Sequence, residues 1–186
     1  MNKDYFENFK NDDKRKKLEN DLLATIIAES IDFNSSIEFS NCKYTDNNRI
    51  SPSISHSLAK KGKNVTLFSP NLKTINCNNF STFNTPKGYP FGIYSMIIPT
   101  KKDIINNSDI FISDENITKS LDNLIKIALY GGTSIYTMRD TNVYNLIKRC
   151  EEIRNKLNSN YNNITNEVMV KNENNVCVGA LVLRKK

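Results

Sequence analysis

The sequence predicts an α/β fold: a mixed, mainly parallel central sheet flanked by helices in three layers, with an N-terminal helical arm. Three observations predict it. From residue 54 onward, short apolar runs alternate with helical stretches of about 15 residues, and such alternation builds βαβ crossovers and a parallel sheet. Two of the helical stretches carry apolar residues at helical spacing and so must each bury one face. The chain closes on two apolar runs around Asn174-Asn175, which read as an antiparallel hairpin and make the sheet mixed. The organisation expected is an arm over 1–30 and a single domain over 31–186, because 186 residues are enough to bury about 70% of the unfolded surface.

The elements follow in order. Residues 4–30 read as a helix, charged in its first half and apolar from Leu22 to Ala28, where it docks on the body. Residues 31–53 are polar and turn-rich, with a faint strand signal at Ile37 to Phe39. A short helix is expected from Ser53 to Lys61, with Pro52 near its start and Gly62 as its stop. Val65 to Phe68 is a short strand closed by Ser69-Pro70-Asn71. Residues 71–92 read as a long loop holding Phe80, Phe83, Tyr89, Pro90 and Phe91. Residues 92–98 read as a buried strand closed by Pro99.

A helix follows, capped by Ser113 or Asp114, with Ile117, Leu121, Leu124 and Ala128 on one face and Gly131-Gly132 as its end. Thr133 to Met138 is the next strand. Asp140 or Thr141 caps a second strong helix, with Val143, Ile147, Cys150, Ile153 and Leu157 in register. Val168 to Val170 and Val176 to Leu183 form the closing hairpin.

Composition narrows the function classes. The 26 Lys and Arg against 20 Asp and Glu give a net charge of +6. The cations fall in short separate clusters rather than along one segment. A single His excludes a multi-histidine zinc centre, so neither a metal nor a cofactor is expected. Four widely spaced Cys with no CxxC read as reduced thiols in a cytoplasmic protein. No apolar run reaches the roughly 20 residues a membrane helix needs. The 29 Asn, about one residue in six, are read as background composition.

In open α/β sheets ligands bind beyond the carboxyl ends of the strands. Those ends supply the candidate ligand-binding residues Ser69, Asn71, Thr100, Lys101, Lys102, Arg139 and Thr141. Two of the clusters are cationic, and the last leads into a helix N-terminus, which favours an anion. The pattern suits a small anionic, nucleotide-type ligand. Asp140, His56 and Asp103 are the candidates for acid–base work. His56 sits in Ser55-His56-Ser57, but adjacent helical residues do not face each other. Gly131-Gly132 follows a helix and precedes a strand, the reverse of a phosphate-binding loop.

Residues 93–157 resemble the second half of macro domains, the α/β modules that bind ADP-ribose. The likeness is carried by Ile97-Ile98-Pro99-Thr100-Lys101, the helix from Ile117 to Lys126, the strand Ser134-Ile135-Tyr136 and the helix from Asn145 to Leu157. Thr137 to Asn142 stand where macro domains carry a Gly-rich loop. The resemblance implies a macro-like module binding ADP-ribose or a related nucleotide, in the manner of a viral or phage-type accessory protein. The alternatives are a basic protein that binds nucleic acid or another protein without catalysis, and a hydrolase of a nucleotide derivative.

Overall fold

Five adjacent strands of the central sheet run parallel. The computed structural model describes residues 3–40, 53–69, 72–84, 110–113, 120–129 and 131–186. In chain order the elements are α1 (Lys3–Ser30), β1 (Ser35–Phe39), α2 (Ile54–Lys60), β2 (Asn64–Ser69), β3 (Ile75–Cys77), β4 (Phe80–Asn84) and β5 (Ile110–Ser113). They continue as α3 (Ser120–Leu129), β6 (Thr133–Asp140), α4 (Val143–Asn160), β7 (Ile164–Glu173) and β8 (Val176–Lys185).

The eight-stranded sheet has the order β3-β4-β2-β1-β5-β6-β8-β7. β4, β2, β1, β5 and β6 are mutually parallel, whereas β3, β8 and the β8–β7 pairing are antiparallel. The chain thus winds outward from β1 to β2 and β4, then returns past β1 to build β5 and β6. The direction of winding reverses between β1 and β5, which makes the sheet doubly wound.

Both faces of β8 are buried. β8 reads Val176-Cys177-Val178-Gly179-Ala180-Leu181-Val182-Leu183, a continuous apolar run of the kind a doubly covered strand needs. Its odd-numbered residues Cys177, Leu181 and Leu183 join Leu124, Ala128, Leu146, Cys150 and Leu157 of α3 and α4. Its even-numbered residues Val178, Ala180 and Val182 join Leu23, Ile27 and Leu58 of α1 and α2. Gly179 is small because the Leu146 side chain passes over it, 3.5 Å from where a Cβ would stand.

Local signals behave as expected at several points. Ser53 caps α2 by accepting from the His56 N–H, and Gly62 leaves it at φ +83°. Gly131 ends α3 at φ +95°, its N–H donating to Ala128. Asn174 and Asn175 take φ 51° and 61°, as a two-residue hairpin turn with the strand twist requires. Phe83 and Phe80 pack against the core.

Other expectations are corrected. The 71–92 stretch is not a loop throughout: β3 and β4 form an antiparallel pair within it and extend the sheet edge beyond β2. The faint strand at Ile37 is the central strand β1, and the buried Glu38 within it meets the backbone N–H groups of Ile54 and Ser55 at the start of α2. Ser113 ends β5 instead of capping a helix. Asn142, not Asp140 or Thr141, caps α4 by accepting from Tyr144 N–H, and Leu146 is buried where Ile147 was expected, Ile147 being exposed. The expected strand at 92–98, the aromatics Tyr89 and Phe91, and Ile117 lie outside the described residues.

The second half of α1 is part of the core, with Leu23, Ala24 and Ile27 all at 0% exposure. Ile27→Ala should cost about 3 kcal/mol in urea denaturation, as expected for a cavity that cannot collapse. A cost below about 1 kcal/mol, typical of an exposed site, would mean that α1 is only tethered to the sheet.

Candidate functional site at the carboxyl ends of the parallel strands

The strand order reverses between β1 and β5, and in open α/β sheets ligands bind outside the carboxyl ends of the strands at such a switch point. On the described residues this edge is formed by Ser40 after β1, Ser69 at the end of β2, Asn84 at the end of β4 and the backbone of Ser113 at the end of β5. The Ser40 N–H donates to Phe68 O, holding the exit of β1 against β2. Ser69 is completely buried.

Glu38 is the chemical centre of this region. It stands one residue before the end of β1, 3% exposed, and faces α2. Its carboxylate accepts from Ile54 N–H at 3.3 Å and Ser55 N–H at 2.6 Å. These are the first N–H groups of α2, which a helix leaves without internal partners. The place where a helix N-terminus would receive a ligand's anion is therefore filled by the protein's own negative charge. Around it lie Ser53, Ser55 and Ser57, all buried, with Ser57 Oγ donating to Asp21 Oδ1 at 2.6 Å.

His56 is held by Ser53 Oγ, 2.7 Å from Nδ1, and packs its ring on Phe80 with centroids 4.7 Å apart. Burial, with Lys60 nearby, pushes its pKa below the usual imidazole value. The ring is thus a packed group, tied into the cap of α2.

The expected cations do not meet on the described residues. Arg139 turns toward α1: its Nε lies 3.3 Å from Glu19 Oε2, and its Nη2 donates to Asn20 Oδ1 at 2.8 Å. Arg15 holds the other Glu19 oxygen at 3.1 Å. Asp140 accepts from Asn142 N–H and pairs with Arg149 at 3.7 Å, beside the α4 N-terminus it was expected to leave open to an anion. Thr141 is an exposed turn residue. Asn71, Thr100, Lys101, Lys102 and Asp103 lie outside the described residues. No group of three or more His, Cys, Asp or Glu suited to a metal occurs among the described residues.

Glu38 is a buried, hydrogen-bonded carboxylate that sequence reading missed. Its signal was a charge between Ile37 and Phe39 inside a strand, which only a buried hydrogen-bonding partner can stabilise. β5 was missed as well. Ile110-Phe111-Ile112 is a β-branched and aromatic run, obscured by assigning Ser113 to a helix cap.

No protein-family model matches the sequence, and no curated protein does. Among solved structures the chain is similar to the MycE methyltransferase of the mycinamycin biosynthetic pathway, in complex with Mg and SAH. That likeness has 14% identity and a TM-score of 0.40, covering 81% of this chain and 41% of the other. The chain is also similar to a provisionally named O-methyltransferase from Klebsiella pneumoniae, at 8% identity and a TM-score of 0.43, covering 90% of this chain and 79% of that one. At these values the likeness concerns the fold.

The macro-domain expectation is corrected accordingly. These neighbours are methyltransferases, not macro domains, hydrolases or non-catalytic binding proteins. The sheet gives the physical reason. The matched segment was taken to run from the strand at 92–98 through a polar stretch into a helix. That stretch instead contains β5, and it is β5 that lies between β1 and β6. No helix among the described residues is long and apolar enough to cross a membrane.

The His56 environment sets a pH dependence. Its folded pKa is lowered, so between that value and the unfolded value of about 6.5 the unfolded chain binds more protons. Stability should therefore fall as pH drops through about 6.5 and level off below the folded pKa. Urea midpoints from neutral pH to about pH 5 should show this slope, and His56→Gln should flatten it. An unchanged slope in the variant would remove His56 as its source.

Proposed function

We propose that this chain is a transferase that binds a small methyl-donor ligand across the crevice between the carboxyl ends of β1 and β5. The observation that carries the reading is the reversal of the sheet at β1 and β5 with a buried carboxylate, Glu38, filling the adjacent helix N-terminus. A doubly wound sheet places its ligand there. Glu38 then selects among ligands by charge. A diphosphate brought to the start of α2 would meet a carboxylate where it needs free N–H groups. A sulfonium donor brings positive charge to the same place and is stabilised by it.

The chain after β1 reads Ser40-Asn41-Cys42-Lys43, with no glycine to let a backbone close on a diphosphate. In methyl transfer the acceptor's lone pair attacks the methyl carbon, and the carbon–sulfur electron pair stays on sulfur. The protein's part is to hold the sulfonium and align the acceptor. The cytoplasmic setting expected from the sequence belongs to the same proposal, supported by free thiols at Cys77, Cys150 and Cys177.

The test is a thermal-shift and calorimetric titration with S-adenosylmethionine, S-adenosylhomocysteine, NAD and ADP-ribose. At a ligand concentration a hundredfold above Kd, the two adenosyl sulfur compounds should raise Tm by about 5–10 °C. NAD and ADP-ribose should not. Glu38→Gln should weaken S-adenosylmethionine roughly tenfold more than the uncharged-sulfur product. Absence of any shift with either sulfur compound, on folded protein at millimolar ligand, would sink the reading.

A further inference from the structure

The two edges of the sheet are unlike. β3 closes one edge with only three residues. β7 closes the other with ten, and among the described residues no strand lies beyond it. A long edge strand presents a row of backbone donors and acceptors that another strand can use.

The free groups on β7 follow from its pairing with β8. Ile164 stands opposite Lys185. One step earlier, the Lys186 N–H donates to Asn163 O, so odd-numbered residues turn their backbone groups toward β8. Even-numbered residues, namely Ile164, Asn166, Val168, Val170 and Asn172, turn theirs outward. A strand added here must hydrogen-bond to these.

We propose that the partner is a second copy of β7, related by a two-fold axis and paired antiparallel with Met169 opposite Met169. In this register Val168 faces Val170 of the second copy and Asn166 faces Asn172, all with outward backbone groups that exchange both N–H···O bonds. Glu167 then falls opposite Lys171, twice by symmetry, in the non-hydrogen-bonded pairs where side chains approach most closely. Thr165 falls opposite Glu173.

The neighbouring registers lack this match. Centring on Val168 puts Glu167 against Met169. Centring on Val170 puts Glu167 against Glu173, and centring on Lys171 puts the two lysines together. Like charges directly opposite are destabilising. The strand is thus self-complementary in one register, as an isologous interface requires. Its half-buried Val168, Met169 and Val170 extend the core of each copy to the seam. A pairing of one strand is at the small end of specific interfaces, so the association is weak and needs concentrated protein.

The full chain should show concentration-dependent dimerisation in sedimentation velocity. Lys171→Glu and Glu167→Lys should each weaken it by about tenfold, from two lost cross-strand pairs. An equimolar mixture of the two variants should regain near wild-type association, because the heterodimer restores both opposite-charge pairs. Val168→Pro removes an outward N–H without touching the β8 ladder, and should abolish association while far-UV circular dichroism stays unchanged. A wild-type protein that stays monomeric to millimolar concentration would overturn the proposal. So would dimerisation indifferent to charge reversal, or variants that fail to recombine. If Val168→Pro unfolds, the charge-reversal and mixing results decide.

Discussion

The constraint on which the structure depends is that its sheet must be covered on both faces. β8 is apolar at every position from Val176 to Leu183 except Gly179, so neither of its faces can meet water. α1 and α2 cover one side, and α3 and α4 cover the other. The chain can place helices on both sides only by winding outward from β1 and then returning past it. The switch point between β1 and β5 is the geometric by-product of that winding, and in open α/β sheets ligands bind at such a point.

Glu38 links this architecture to chemistry. Strand β1 is central, so a charged side chain on its inner face must have partners. The first N–H groups of α2 supply them. The same contact docks α2 over β1. Ser53, Ser57, Asp21 and His56 continue the polar seam between α1, α2 and the sheet, each through a short side-chain contact. Arg139, which looked in the sequence like a ligand cation, belongs to a second seam, holding α1 to β6 through Glu19 and Asn20.

The parts of the fold with strong local signals were legible. α2 was bracketed by Ser53 and Gly62, β6 by Gly131-Gly132 and the polar turn at Thr141, and the closing hairpin by Asn174-Asn175. Their boundaries arise from capping and turn chemistry within a few residues. β1, β3, β4 and β5 were poorly legible or missed. Phe80 to Asn84 alternates aromatic and polar residues weakly, and its strand exists because β2 and β3 supply hydrogen-bond partners on either side. The partners of Glu38 were unreadable for the same reason, since they lie 16 and 17 residues away.

By itself, then, the sequence determined the α/β class and the mixed character of the sheet, and its single His left no room for a multi-histidine centre. These depend on periodicity and on residue counts, which are local or additive. Strand order, the position of the switch point and the partners of Glu38 were decided only by tertiary structure. They depend on which strand hydrogen-bonds to which, and that pairing is set by burial across the whole sheet. The short Pro99-Thr100-Lys101 motif suggested one architecture. The insertion of β5 between β1 and β6 established another, because a buried strand must satisfy both of its edges before any motif at its end can matter.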